Sequence, residues 1–144
     1  MGDTLTHLDS KQRITQLLQK ISSFFFQASG SGGRKRRLIV SFRDYCASEP
    51  QGLDRFIPVR SDEGKIFTCF LEFFPEHVQV TDLVYSRTDS QQPIWMLGKS
   101  SYRKIRLPKS LLLEQALELG FQIETEFVER GMIFLSLVFQ QRVH

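Results

Sequence analysis

LIVSFRDY, residues 38 to 45, decides how the fold is read. Leu38 to Phe42 form an almost continuous apolar run, the pattern of a parallel strand covered on both faces. The run stops abruptly at Arg43, Asp44 and Tyr45. In open α/β sheets the carboxyl ends of the strands face the ligand crevice, so these polar groups are the first place to look for chemistry. Arg43 has the planar fork that grips a carboxylate at two points. The competing reading is a surface pair with Asp44, worth little.

Upstream, Asp9 followed by Gln12 reads as a helix N-cap with its capping-box partner, which starts a helix at about residue 10 and leaves only loop ahead of it. From Ser10 to Ala28 the residues Ile14, Leu17, Leu18, Ile21, Phe24 and Phe25 recur at helical spacing and predict one buried stripe, with the triplet Phe24–Phe26 as core packing. SGSGGRKRR, residues 29 to 37, then reads as a solvated connector. Its glycines imitate a phosphate-cradling loop, but such a loop follows a strand and opens a helix, whereas this one does the reverse.

Downstream, a polar stretch containing Gly52, Pro58 and Gly64 gives way to alternation of period two. Phe67, Cys69, Leu71 and Phe73 predict one strand; Val78, Val80 and Val84, after a Phe-Pro-Glu-His turn, a second; Ile94 to Leu107 a third. This is an antiparallel meander. Lys99, Tyr102, Arg103, Lys104 and Arg106 make its last strand basic, either as a solvated outer face or, for Tyr102, as a substrate-facing group. Pro108 starts a short helix that Gly120 closes. Phe121, Ile123 and Phe127 alternate with Glu124 and Glu126, and a Glu129-Arg130-Gly131 turn leads to MIFLSLVF, residues 132 to 139. A hairpin whose second strand is the more apolar places the last strand inside the sheet.

Composition bounds the function. A chain of 144 residues, 41% apolar with 13 Phe, is long enough for one buried core. Nineteen basic residues against 16 acidic ones give a net charge of +3, which does not single out nucleic acid as a partner. No apolar run approaches the ~18 residues of a membrane span. Cys46 and Cys69 have neither C-x-x-C spacing nor a His cluster, which fits buried thiols in a reducing cytoplasm.

The ordered series of segments resembles the second half of a class I S-adenosylmethionine-dependent methyltransferase, in the small-molecule branch similar to glycine N-methyltransferase. GDTLTHLD, residues 2 to 9, is similar to the segment after that family's fourth strand. GGRKRRLIVSFRDY, residues 32 to 45, is similar to its glycine-glycine turn and fifth strand. SSYRKIRLPKSLLLEQALELGF, residues 100 to 121, resembles the approach to its last helix and sixth strand, and ERGMIFLSL, residues 129 to 137, the seventh. RFIPVRSDEGKIFTCFLEFF, residues 55 to 74, fits the strands that this branch inserts after the fifth.

The resemblance implies an α/β fold: a partial Rossmann-like methyltransferase domain over residues 1–144, with 47–107 as an inserted substrate-side meander and a C-terminal hairpin. It implies S-adenosylmethionine as cofactor, met by Gly2, Asp3, Thr4 and His7, and a small-molecule acceptor taken up for N- or O-methylation. Asp3 stands where glycine N-methyltransferases carry Asn, and an anionic Asp3 favours an amine over a carboxylate nearby. Asp3 or His7 would accept the proton of an ammonium or hydroxyl acceptor; the alternative for His7 is a side chain bonded to backbone at the start of the helix. Arg43 matches the arginine that clamps a substrate carboxylate, with Tyr45 beside it and Tyr102 as a third acceptor-side group.

On this reading the chain begins mid-fold, with Met1 at the end of the fourth strand. The glycine-rich turn, the ribose-gripping acid and the adenine loop have no substitute in it, so the chain alone is not expected to bind the cofactor. The expected partner at strand 38–42 is a missing N-terminal half or another copy of the chain. The competing function is a non-catalytic, truncated or split remnant that acts as a binding module.

Overall fold

The computed structural model describes residues 3–28 and 35–140, so Gly2 and most of the 29–37 connector lie outside the described residues. The chain divides into two units, Met1–Ala47 with Ile105–His144, and Ser48–Lys104.

In the first unit a 3-10 turn, Leu5–His7, precedes helix α1, Lys11–Gln27. The cap is Ser10, not Asp9: Ser10 has extended backbone and its hydroxyl accepts the Arg13 N–H at 3.3 Å. Ile14 and Leu18 are fully buried, as their spacing predicts. The phenylalanine triplet is not all core. At roughly 100° per residue three consecutive side chains cannot share one face, and only Phe25 packs inward, against the rings of Phe121 and Phe139 at 5.9 Å each, while Phe24 and Phe26 are exposed.

Strand β1, Arg36–Phe42, follows. Helix α2, Lys109–Glu118, and the hairpin of strand β6, Phe121–Glu129, with strand β7, Met132–Phe139, complete this unit. The sheet order is β1-β7-β6, so the most apolar strand is the central one. Ile133, Leu135 and Leu137 of β7 pack with Val40 and Phe42 of β1, Ile14 and Leu18 of α1, and Leu112 and Ala116 of α2 in one core. The hairpin turns through Arg130 and Gly131, both at positive φ (49° and 75°), the geometry of a two-residue I′ turn that matches strand twist.

The β1 run departs from its expected environment. Leu38 to Phe42 pair antiparallel with β7, not parallel, and β1 is an edge strand on which Val40 and Phe42 are buried but Ile39 is 74% exposed. An apolar run alone carries neither pairing direction nor the number of covered faces.

Across this sheet Glu124, at an irregularity of β6, accepts two hydrogen bonds from the Arg37 guanidinium at 2.6 and 2.7 Å and one from Ser136 Oγ at 3.0 Å. The Arg37 bond holds its carboxyl at about 2, against an ordinary 4.5. Because the folded value lies below the unfolded one, the tie contributes fully above about pH 4.5 and is lost as pH falls to about 2. Glu124→Gln is therefore expected to flatten the acid limb of stability between those values, read as urea midpoints against pH. An unchanged limb would assign the acid sensitivity to other carboxylates.

The second unit is a four-stranded sheet in the order β2-β3-β4-β5: Phe56–Ser61, Lys65–Phe73, His77–Arg87 and Trp95–Ile105. Strand β2 has no period-two signal in the sequence, because Pro58 interrupts it. It is an exposed edge with a register shift between Pro58 and Arg60, where a missing N–H is tolerated. Phe56 stacks on Phe70 at 4.6 Å, with the Arg55 guanidinium 4.9 Å from the same ring.

Neither cysteine is the fully buried thiol expected. Cys46 is exposed, in the turn after β1, and Cys69 is half-buried on β3. Burial, then its hydrogen bond to the Asp82 carboxylate across the ladder at 3.2 Å, pushes the Cys69 thiol up to about 11. Burial also raises Cys46. No helix among the described residues is long and apolar enough to cross a membrane.

Candidate functional site

The polar tip of β1 is organised around Asp3. This residue adopts a left-handed backbone (φ 68°), which Asp tolerates better than most side chains, and its side chain is buried to 3% exposure. One carboxylate oxygen, Oδ1, accepts the Thr6 hydroxyl at 2.6 Å and the backbone N–H of Arg43 at 3.0 Å. The other, Oδ2, accepts the Tyr45 hydroxyl at 3.4 Å. Thr6 also donates to the Asp3 carbonyl at 3.0 Å, so the 3-10 turn and the end of β1 close on one buried acid.

Three of the predicted site residues, Asp3, Arg43 and Tyr45, thus come together, although Arg43 joins through its backbone. Its guanidinium donates to the Arg130 carbonyl at 2.9 Å and covers the hairpin glycine, where a Cβ on Gly131 would stand 3.0 Å from Arg43 Nη1. The alternative surface pair with Asp44 is replaced by a capping role. Asp44 Oδ1 accepts the N–H groups of Cys46 at 2.8 Å and Ala47 at 3.1 Å, and Oδ2 accepts the N–H of Lys109, the first residue of α2, at 3.0 Å. Pro108 has no side-chain donor or acceptor for that helix end, so the anion comes from β1.

Thr4, the cap residue just before the 3-10 turn, and His7, its last residue, are exposed. Gly2 lies outside the described residues. Tyr102 belongs to the second unit, where it is half-buried with Lys104 Nζ 5.9 Å from its ring centre. Two roles in the cluster escape a sequence reading. Thr6 is one of many hydroxyls, marked only by its place three residues after Asp3. Asp44 is named from the sequence as a polar group at the end of β1, but its capping of α2 is signalled only by the lack of a capping side chain at Pro108. Among the described residues no group of three or more His, Cys, Asp or Glu could hold a metal ion.

No family model matches the chain, and no curated protein matches it. Among solved structures it is similar to a S-adenosylmethionine-dependent methyltransferase from Clostridium acetobutylicum ATCC 824, at a TM-score of 0.65 over 96% of this chain and 8% identity. The fold is methyltransferase-like. At that identity the likeness speaks for the fold alone, and the chain spans 56% of the length of that methyltransferase.

In this methyltransferase-like fold the groups expected to meet S-adenosylmethionine do not form a cradle for it by themselves. The Asp3 carboxylate is enclosed by Thr6, Arg43 and Tyr45, and Thr4 and His7 stand exposed on either side of Thr6. The described side chains of this cluster hold the 3-10 turn to the end of β1.

Proposed function

We propose that this chain forms the acceptor-side portion of a S-adenosylmethionine-dependent methyltransferase that N- or O-methylates a small molecule. The carrying observation is the match of 96% of the chain to a methyltransferase structure, and the acid-centred cluster at the tip of β1 supports it. In this reading Asp3 is a positioning residue, holding the tip of β1 and the 3-10 turn together. His7, exposed at the end of that turn, takes the proton of an ammonium or hydroxyl acceptor. Arg43 and Tyr45 border the acceptor. Alignment is the main contribution such a site makes to an in-line displacement, up to ~7–11 kcal/mol for well-oriented reactants.

The reading includes a cofactor-binding half, encoded ahead of Met1 or carried by another chain and joined at the free edge of β1. The 144-residue chain alone is then expected to show no low-micromolar S-adenosylmethionine binding by calorimetry. The test is methyl transfer from labelled cofactor to a panel of amines and hydroxy compounds, using the protein translated with its upstream reading frame or with a co-purifying partner. Transfer is expected, with His7→Ala lowering kcat by about 10²-fold or more. If no preparation transfers methyl groups or binds the cofactor, the non-catalytic remnant becomes the better account.

A further inference from the structure

We propose that a second copy of this chain pairs with the outer edge of strand β5, centred on Met96, independently of any methyl transfer. β5 is an edge strand whose hydrogen-bonded neighbour is β4. Four consecutive exposed apolar residues run into its start: Ile94, just ahead of it, is 62% exposed, and Trp95, Met96 and Leu97, its first three residues, are 46%, 59% and 49% exposed. Consecutive strand residues point to opposite faces, so this segment presents apolar surface on both faces and unpaired backbone between them. A helix or a flat surface would cover one face only. Another strand satisfies the backbone and extends both faces at once.

Later in the same strand Lys99, Arg103 and Lys104 place charge along the edge, the usual protection against such pairing, and residues 94 to 97 carry none. The register follows from what β5 already faces. Thr81 lies against Ser101, the two hydroxyls 2.9 Å apart, and Thr88 donates to the Ile94 carbonyl at 3.0 Å, which sets Leu97 beside Tyr85. Tyr85 in turn pairs with Ile66. All three are exposed and share a face.

A two-fold axis at Met96 puts Trp95 opposite Leu97 of the second copy, continuing the row Ile66, Tyr85, Leu97 with an aromatic ring. It puts Ile94 opposite Gly98 of the second copy, where no Cβ competes for space. The basic halves of the two strands then run out at opposite ends. Full overlap, centred on Ser100, would instead set Leu97 against Arg103 and Met96 against Lys104 of the other chain, spoiling the apolar contact. A second copy is thus favoured over an unrelated strand because the same short run supplies both complementary halves.

The test is sedimentation of the 144-residue chain at tens of micromolar, as wild type, Met96→Lys and Ile39→Lys, with melts confirming that these exposed substitutions leave the fold intact. Oxidative cross-linking accompanies it, comparing Met96→Cys with Ser100→Cys in a Cys46→Ser, Cys69→Ser background. A dimer is expected, weakened at least about tenfold by Met96→Lys, because two lysines meet on the axis, and unaffected by Ile39→Lys. Met96→Cys should cross-link between copies and Ser100→Cys should not. A monomeric wild type, a dimer indifferent to Met96→Lys, or cross-linking through Ser100→Cys instead would overturn the proposal. Dissociation by Ile39→Lys alone would also overturn it, moving the contact to β1.

Discussion

Phe121→Ala is expected to destabilise the first unit by about 3–5 kcal/mol, the range for deleting a fully buried aromatic ring. Phe121 opens β6 and is 1% exposed, with the Phe25 ring at 5.9 Å and the Phe139 ring at 5.4 Å. It therefore links α1, β6 and β7 through one side chain. The backbone just ahead leaves no room to adjust. Gly120 sits at φ 90°, and a Cβ there would stand 3.2 Å from the Gln140 carbonyl and 3.3 Å from the Phe139 ring. The strand cannot slide inward to fill the space, so the cavity persists. Since a domain's net stability is only ~5–15 kcal/mol, much of it would be lost. Both α-helices belong to this unit, so helical circular dichroism through a urea titration reads the effect. A loss below about 1.5 kcal/mol would show that the aromatic cluster relaxes after all.

That cluster also shows what the sequence made legible. Phe25, Phe121 and Phe139 lie far apart in the chain, yet each is placed by a local pattern: a helical stripe, the residue after a C-terminal glycine, and the end of an apolar strand. The interior position of β7 followed from MIFLSLVF being apolar at both sets of alternating positions; Ile133, Leu135 and Leu137 are buried on one face, and Met132 and Phe134 are half-buried on the other. Local pattern fails where the outcome depends on what stands across from a residue. Ile39 is as apolar as Val40 beside it, but the two point to opposite faces of β1, and only the Val40 face is covered by the core. Pro58 hid β2 because the signal for an edge strand is weak alternation plus a tolerated proline. The cysteines misled because burial is a base rate for the residue type, whereas Cys46 lies in a turn ordered by Asp44.

The site was legible only in part, for the same reason. Asp3, Arg43 and Tyr45 could be named from the ends of predicted elements. Their meeting around one carboxylate depends on a contact forty residues long in sequence, between Asp3 and the Arg43 N–H. A backbone donor leaves no mark in a side-chain reading. The guanidinium of Arg43, the feature that suggested a clamp, goes instead to the Arg130 carbonyl of the neighbouring hairpin.

Asp3→Ala and Asp3→Asn are expected to differ sharply, and the difference separates a structural charge from a structural acceptor. Asp3→Ala leaves the Arg43 N–H without its acceptor in a site that is 3% exposed at Asp3, while the Thr6 hydroxyl keeps the main-chain carbonyl of residue 3, 3.0 Å away. A buried donor left unmade costs about 1–3 kcal/mol, so a loss of about 2 kcal/mol is expected. The left-handed backbone adds to it, because Ala tolerates φ 68° less well than Asp or Asn. Asn keeps the backbone preference and one carbonyl oxygen, which can serve Thr6 and Arg43 together as Oδ1 does now. The long 3.4 Å bond from Tyr45 meets an amide nitrogen instead. Asp3→Asn should therefore cost less than about 1 kcal/mol in urea midpoints. Amide exchange locates the effect: the Arg43 N–H should lose protection in Asp3→Ala and keep it in Asp3→Asn. Equal losses in the two variants would mean that the negative charge itself, and not an acceptor oxygen, holds the tip of β1.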